Sequence, residues 1–221
     1  MVHNSIHHIP NLNIKTLRTS VIDYDIDLFF LGPIFSVICI ITYINAMNMF
    51  DGINLTAFLH FSSIAFLFIL NNFMSDFSLI LIFSLLVYGY LNFRNLTFLG
   101  DSGVFILSFI TSVLLIVFYN YFNLNVEDIL LAIYLPIIDF FRLFFTRIYN
   151  GKNPLYGDEK HLHHYLKKKF NYNILLVIYF SLIYFPILIN YLLDITKFLL
   201  ILMITIYFLL LKFVKPKPSN I

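Results

Sequence analysis

Four stretches of this sequence bring together residue types that can do chemistry. Asn45, Asn48 and Asp51 follow one another at three-residue steps and lead into Gly52, Ile53 and Asn54. On a helix that spacing lays the three polar side chains along one face of roughly 120°, and Gly52 lets the chain turn away. A polar helix end with a glycine stop accounts for any one of them; three aligned at the edge of an apolar run favour a site. Asp101, in Phe98-Leu99-Gly100-Asp101-Ser102-Gly103, opens a later apolar run. It is either a helix N-cap or a carboxylate for a hard cation such as Mg²⁺, which takes one or two carboxylates together with phosphate oxygens. The third stretch runs from Arg147 through a Gly- and Pro-containing loop to His161, His163 and His164. No cysteine completes a zinc set there, and a cationic loop suits phosphate better. The plain alternative is a solvated loop whose Lys167, Lys168 and Lys169 rest on anionic headgroups. The fourth is Asp139 with Arg142, an i,i+3 pair that makes two charges tolerable inside an apolar run and is read as structural.

The elements that must position these residues follow from composition. Hydrophobic residues make up 60% of the 221 and charged residues 12%, against about 45–50% and about 25% in soluble domains. The apolar residues come in runs near the ~20 needed to cross a bilayer. The fold class expected is an all-α polytopic membrane protein with about seven transmembrane helices, at 28–49, 55–71, 77–92, 103–119, 129–148, 173–193 and 197–213. Residues 1–27 read as an extracytoplasmic segment, whose β-branched alternation from Ile14 to Ile26 suits a short β-hairpin. Residues 28–221 form the multi-helix membrane domain, with active-site loops at about 50–54, 93–102 and 147–172.

If the last of these loops is cytoplasmic, ten of the 14 basic residues lie inside, while Asp76, Glu127, Asp128 and Asp194 lie outside. The positive-inside rule therefore puts the C-terminus in the cytoplasm. A net charge of only +2 argues against a nucleic-acid partner. Cys39 is the single cysteine, so neither an internal disulfide nor a cysteine metal site can form.

In this order the motifs resemble the polyprenyl-phosphate N-acetylhexosamine-1-phosphate transferase family, glycosyltransferase family 4, and within it the N-acetylglucosamine branch. The family's Asn-x-x-Asn-x-x-Asp-Gly-x-(Asp/Asn)-Gly-Leu run matches Asn45, Asn48, Asp51, Gly52 and Asn54, and departs at Leu55 and Thr56. Its Phe-(Leu/Met)-Gly-Asp-(Ser/Thr)-Gly run matches residues 98–103, and its later pattern matches Pro136, Asp139, Arg147, Pro154, Asp158, His161, Leu162, His163 and His164. The resemblance begins partway into the family's fold, because an earlier cytoplasmic loop with an Asp-Asp pair has no counterpart. The expectation is therefore a C-terminal portion that works with a missing N-terminal half or as a homodimer.

The resemblance implies transfer of N-acetylhexosamine-1-phosphate from a UDP-sugar to undecaprenyl phosphate, releasing UMP, at a bacterial inner membrane, with membrane lipid as surroundings. It implies Mg²⁺, with Mn²⁺ as the alternative, held by Asp101 and Asn48. Asp51, Asp101, His161, His163 and His164 would be catalytic, and Asn45, Asn48, Asn54 and Arg147 would bind substrate, with Asn54 at the uracil. The alternative is a non-catalytic membrane subunit or truncated relic that keeps the motifs. A transporter fits less well, since the polar groups gather at one membrane surface and not at the midplane.

Overall fold

The computed structural model describes residues 12–21, 24–154 and 160–215; Asp23, Asp158 and Lys217 lie outside the described residues. After an antiparallel pair of two-residue strands, β1 (Thr16–Leu17) and β2 (Ile26–Asp27), the chain passes through a 3-10 turn at Phe29–Leu31. The helices that follow are α1 (Gly32–Phe50), α2 (Thr56–Leu70), α3 (Ser75–Phe93), α4 (Gly100–Tyr121), α5 (Val126–Tyr149), α6 (Leu162–Lys169), α7 (Tyr172–Leu193) and α8 (Thr196–Val214). The expected short hairpin is present, and the regular elements described after it are all helices.

Six helices are long and apolar enough to cross a membrane, which makes this a multi-pass membrane protein. The seventh expected span, α2, has only 15 residues. At 1.5 Å per residue it falls short of a ~30 Å hydrocarbon core, and it is the most enclosed helix, its 55–71 run being buried against α3 and α7. The 150–171 segment, expected as a loop, contains the amphipathic α6, whose Leu162 and Leu166 are buried while Lys167, Lys168 and Lys169 are exposed.

Local chemistry sets the ends. Pro33 stands in the first turn of α1, where a missing N–H costs nothing. Asp128 accepts the Asn125 N–H at 2.9 Å and starts α5 ahead of its expected boundary. Asn171 accepts the Ile174 N–H at 3.0 Å and starts α7. Alternating directions place the ends of α1, α3, α5 and α8 at one end of the bundle, the site end. The β-hairpin and the α2–α3, α4–α5 and α7–α8 connections lie at the other, the hairpin end.

Lipid tails are as apolar as leucine, so helix association rests on close packing and interhelical hydrogen bonds. The core of Tyr43, Met47, Phe50, Leu135, Leu175 and Tyr179 joins α1, α5 and α7. Across it run Tyr43 Oη to His60 Nε2 at 3.0 Å, Ser62 to Tyr184 at 2.7 Å, and Tyr134 Oη donating to the Leu182 carbonyl at 2.8 Å.

Candidate active site

The end of α1 places Asn45, Asn48 and Asp51 as their spacing requires. Asn45 donates from Nδ2 to the Ile41 carbonyl at 2.8 Å, and Asp51 is the residue at which the helix stops, its N–H still bonded to Met47 O. Asp101 lies in the first turn of α4, behind Leu99 as N-cap, and is exposed. It makes no side-chain capping bond, so the capping role weighed for it is not the one it plays here. Asp51 and Asp101 act on each other: burial first, and then the Asp101 charge, push the Asp51 carboxyl up to about 6. Among the described residues neither carboxylate has a salt bridge. The same residues hold no group of three or more His, Cys, Asp or Glu placed to ligate a metal ion. A cation completing its shell with phosphate oxygens and water needs only one or two carboxylates, and the repelling pair fits that demand.

Gly52 is required by contact. A Cβ built there would lie 2.0 Å from His163 Nε2, so the imidazole rests directly on the backbone of the Asp51 turn. His163 is 1% exposed, and neither ring nitrogen has a hydrogen-bond partner. Burial, followed by the charges of His164 and His161, lowers it to about 3, which leaves it neutral. His161 stacks on it at 5.3 Å and 4°, and His164 packs 4.2 Å from it and 6.3 Å from His161. The three histidines therefore form one cluster, seated against the turn that carries Asp51.

The polypeptide after Gly52 is held by amides. Asn54 Nδ2 donates to the Asn92 carbonyl at 2.9 Å and to Asn95 Oδ1 at 2.6 Å, and its carbonyl accepts from Tyr172 Oη at 3.1 Å. Asn92, 2% exposed, accepts the Leu55 N–H at 2.7 Å and donates to the Thr97 carbonyl at 2.9 Å. Leu55 has φ +71°. It stands where the family pattern has glycine, and a branched side chain there carries a cost of about 1–2 kcal/mol. A cavity of about 200 Å³ opens beside this turn, lined by Asp51, Asn54, Tyr88, Asn92 and Phe98. Another of about 200 Å³ lies at the hairpin end among α1, α4 and α5, where hydrocarbon side chains dominate and offer nothing to a charged substrate.

Arg147 is held at the start of its own loop. It is 3% exposed and donates from Nη1 to the Pro154 carbonyl at 2.9 Å. Four participants escaped the sequence reading. Asn92 and Asn95 repeat, at the end of α3, the signal that marked Asn45 and Asn48. Asp139, read only as the partner of Arg142, also meets His161 Nδ1 at 2.7 Å. Tyr207, a single polar atom in α8, gives no local signal at all.

The profile of a family described as "Glycosyl transferase family 4" matches residues 2–119. That stretch includes Asn45, Asn48, Asp51, Asn54 and Asp101 and stops before the histidines. No curated protein and no solved structure matches the chain.

Proposed function

The chain belongs to glycosyl transferase family 4, and on that premise we propose that it transfers N-acetylhexosamine-1-phosphate from a UDP-sugar to undecaprenyl phosphate, releasing UMP. The observation that carries this reading is the coupled pair Asp51 and Asp101 beside the cavity at the Asn54 turn. The Asp101 charge adds to the cost of ionising Asp51, and a divalent cation with a diphosphate relieves it. Asp101, with Asn48 and with Asp51, which feels its charge, would hold Mg²⁺ or Mn²⁺; when bound, the ion offsets repulsion between the two phosphates that must meet. The chain's own groups do the rest. Phe98, 83% exposed at the cavity rim, offers a face on which a uracil ring can stack, with Asn54 beside it. The histidine cluster provides the groups that accept or donate protons at phosphate.

The site end faces the cytoplasm in this reading, because Arg94, Lys152, Lys160, Lys167, Lys168 and Lys169 gather there. With Cys39→Ser as background, a cysteine at Asp76 should label from outside intact cells and one at Lys152 should not. Turnover is tested in membranes holding the chain, alone and with the N-terminal helices of a family member, supplied with UDP-N-acetylglucosamine, undecaprenyl phosphate and Mg²⁺. Release of UMP is expected, and Asp101→Asn should lower it about 100-fold or more while the protein still inserts. No release in either membrane sinks the reading, and an unimpaired Asp101→Asn protein removes the carboxylate pair from it.

A further inference from the structure

Asp139 is 4% exposed in α5, one turn after Pro136 within that helix, and its two oxygens have different surroundings. Oδ1 accepts from Arg142 Nη2 at 2.8 Å, from the Tyr207 hydroxyl at 2.5 Å and, at the long limit of 3.4 Å, from the Leu162 N–H. Oδ2 meets His161 Nδ1 at 2.7 Å. The donors around Oδ1 are fixed by one another. Arg142 Nε donates to Tyr207 Oη at 2.7 Å, which commits that hydroxyl's hydrogen to Asp139, and Arg142 Nη2 also holds the Lys160 carbonyl at 2.7 Å. A carboxylate paired with a guanidinium only accepts. The hydrogen between Asp139 and His161 therefore sits on Nδ1, and a neutral His161 carries none on Nε2.

We propose that Asp139 is a positioning residue that locks His161 in its Nδ1–H tautomer, presenting the Nε2 lone pair to substrate as a proton acceptor. It also fastens the histidine run to the bundle, since His161 and Leu162 come from the loop side and Arg142 and Tyr207 from α5 and α8. From His161 the contact continues through the stacked His163 to Gly52 and the Asp51 turn. The tautomer lock stands on geometry alone; its consequence for turnover rests on the transferase reading.

The asymmetry of the two oxygens makes Asp139→Asn a sharp test. The amide carbonyl must take the place of Oδ1, where every neighbour donates, so the NH₂ group falls opposite His161 Nδ1. Two hydrogens cannot share that contact, and the ring must move its own to Nε2. A carboxylate-to-amide change of this kind keeps geometry but imposes the wrong tautomer, and costs about 10⁴ in turnover in the Ser-His-Asp triad.

The tautomer is read from ¹⁵N spectra of ring-labelled histidine at pH 8, with His161→Gln assigning the resonances. Wild type should show Nδ1–H and a bare Nε2, and Asp139→Asn the reverse. Tyr207→Phe, which removes one donor from Oδ1 alone, should keep the wild-type pattern. In the UMP assay Asp139→Asn should lower kcat about 100-fold or more with donor KM within about threefold, and Tyr207→Phe should lose less than tenfold. A wild-type ring with hydrogen on Nε2 and none on Nδ1 overturns the proposal without any variant, so misfolding of Asp139→Asn does not shelter it. An unchanged tautomer in a folded Asp139→Asn protein overturns it too. Reversal with kcat intact removes the catalytic consequence, and a locked tautomer in a chain that never releases UMP defeats the transferase reading instead.

Discussion

At the hairpin end Arg18, Glu127, Asp128 and Lys197 are met by partners. Arg18 donates to the Leu124 and Tyr119 carbonyls at 2.9 and 3.0 Å and lies 4.3 Å over the Tyr119 ring. Glu127 Oε1 takes the Thr19 hydroxyl and the Ser20 N–H, Asp128 takes Thr196 Oγ1 at 2.6 Å, and Lys197 reaches the Ser20 carbonyl. Two oxygens there, Glu127 Oε2 and Ser78 Oγ, are buried without a partner among the described residues. At the site end Asp51 and Asp101 repel each other with no salt bridge among the described residues, and His163 is buried with both ring nitrogens unbonded. Both ends hold short polar turns of similar composition. One spends its polar groups on fastening the hairpin to α4 and α5, whereas the other, beside its bonded Asn54 and Asn92, leaves the Asp51 and Asp101 carboxylates without a salt bridge and the His163 ring nitrogens unbonded. Unsatisfied groups that persist in a fold mark functional sites more often than defects.

Two glycines offer the strongest way to break that contrast. A Cβ at Gly52 would meet His163 Nε2 at 2.0 Å, and one at Gly32 would meet the Ile14 carbonyl at 2.6 Å. Gly52→Ala should displace the histidine from the Asp51 turn and lower turnover about 100-fold or more, since a shift of about 1 Å in a catalytic group costs that much. Gly32→Ala should instead destabilise the protein by about 1–3 kcal/mol by pushing on the hairpin, with turnover per folded molecule unchanged. Melting curves and UMP release on both variants decide the matter. Equal loss of activity from the two would erase the distinction between the ends.

A smaller effect sharpens it. Leu55 at φ +71° and Met74 at φ +44° are bulky residues in left-handed backbone, one at each end. Strain alone therefore does not separate the ends. Leu55→Gly and Met74→Gly should each stabilise by about 1 kcal/mol in thermal melting, because the backbones already have the shape that glycine adopts freely. Only Leu55→Gly should also change donor KM, since Leu55 N–H and the Asn54 side chain share Asn92 as their anchor. A KM change of the same size in Met74→Gly would show that the effect travels through general stability.

What the sequence made legible follows from the range of each signal. Runs of apolar residues announced the spans, and three-residue steps announced the polar face at Asn45, Asn48 and Asp51. Both are local patterns that a bilayer enforces. The 3-10 turn before α1 was not visible, because hydropathy reports how apolar a stretch is and not where its hydrogen bonds begin, whereas the short α2 appeared as the 55–71 run almost to its ends. The helix α6 was hidden by its lysines, which look like loop residues until Leu162 and Leu166 are seen on its buried face. Asp139 was assigned to Arg142, three residues away, because that neighbour is in the same helix. His161 lies 22 positions on and Tyr207 68, and no periodicity reaches so far. Leu55 was visible as a departure from the family pattern, but only the backbone shows that the departure falls on a left-handed residue.

The smallest expected effect is in how stability changes with pH, and here the two groups of the site end run in opposite directions. Asp51 is raised from an ordinary value of 3.8 to about 6. Between those values the folded protein keeps a proton that the unfolded chain has released, so its contribution is fully present below about 4 and is lost as pH rises through about 6. His163 is lowered from 6.5 to about 3. There the unfolded chain takes up a proton that the folded protein refuses, so its contribution stands above about 6.5 and is lost as pH falls toward 3. In wild type the two partly cancel over the interval they share, and single variants separate them. With a chelator present, Asp51→Asn should flatten the contribution to melting temperature that falls as pH rises from about 4 to about 6, while His163→Leu should flatten the one that falls as pH drops from about 6.5 toward 4. Asp51 is only half-buried and its change is the weaker of the two, because solvent screens its meeting with Asp101. Glu127→Gln, at the hairpin end, should change the stability of the protein without altering its slope between pH 5 and 7.5. If that variant flattens the curve as Asp51→Asn does, the strained charge belongs to the bundle as a whole and the site end loses its distinction.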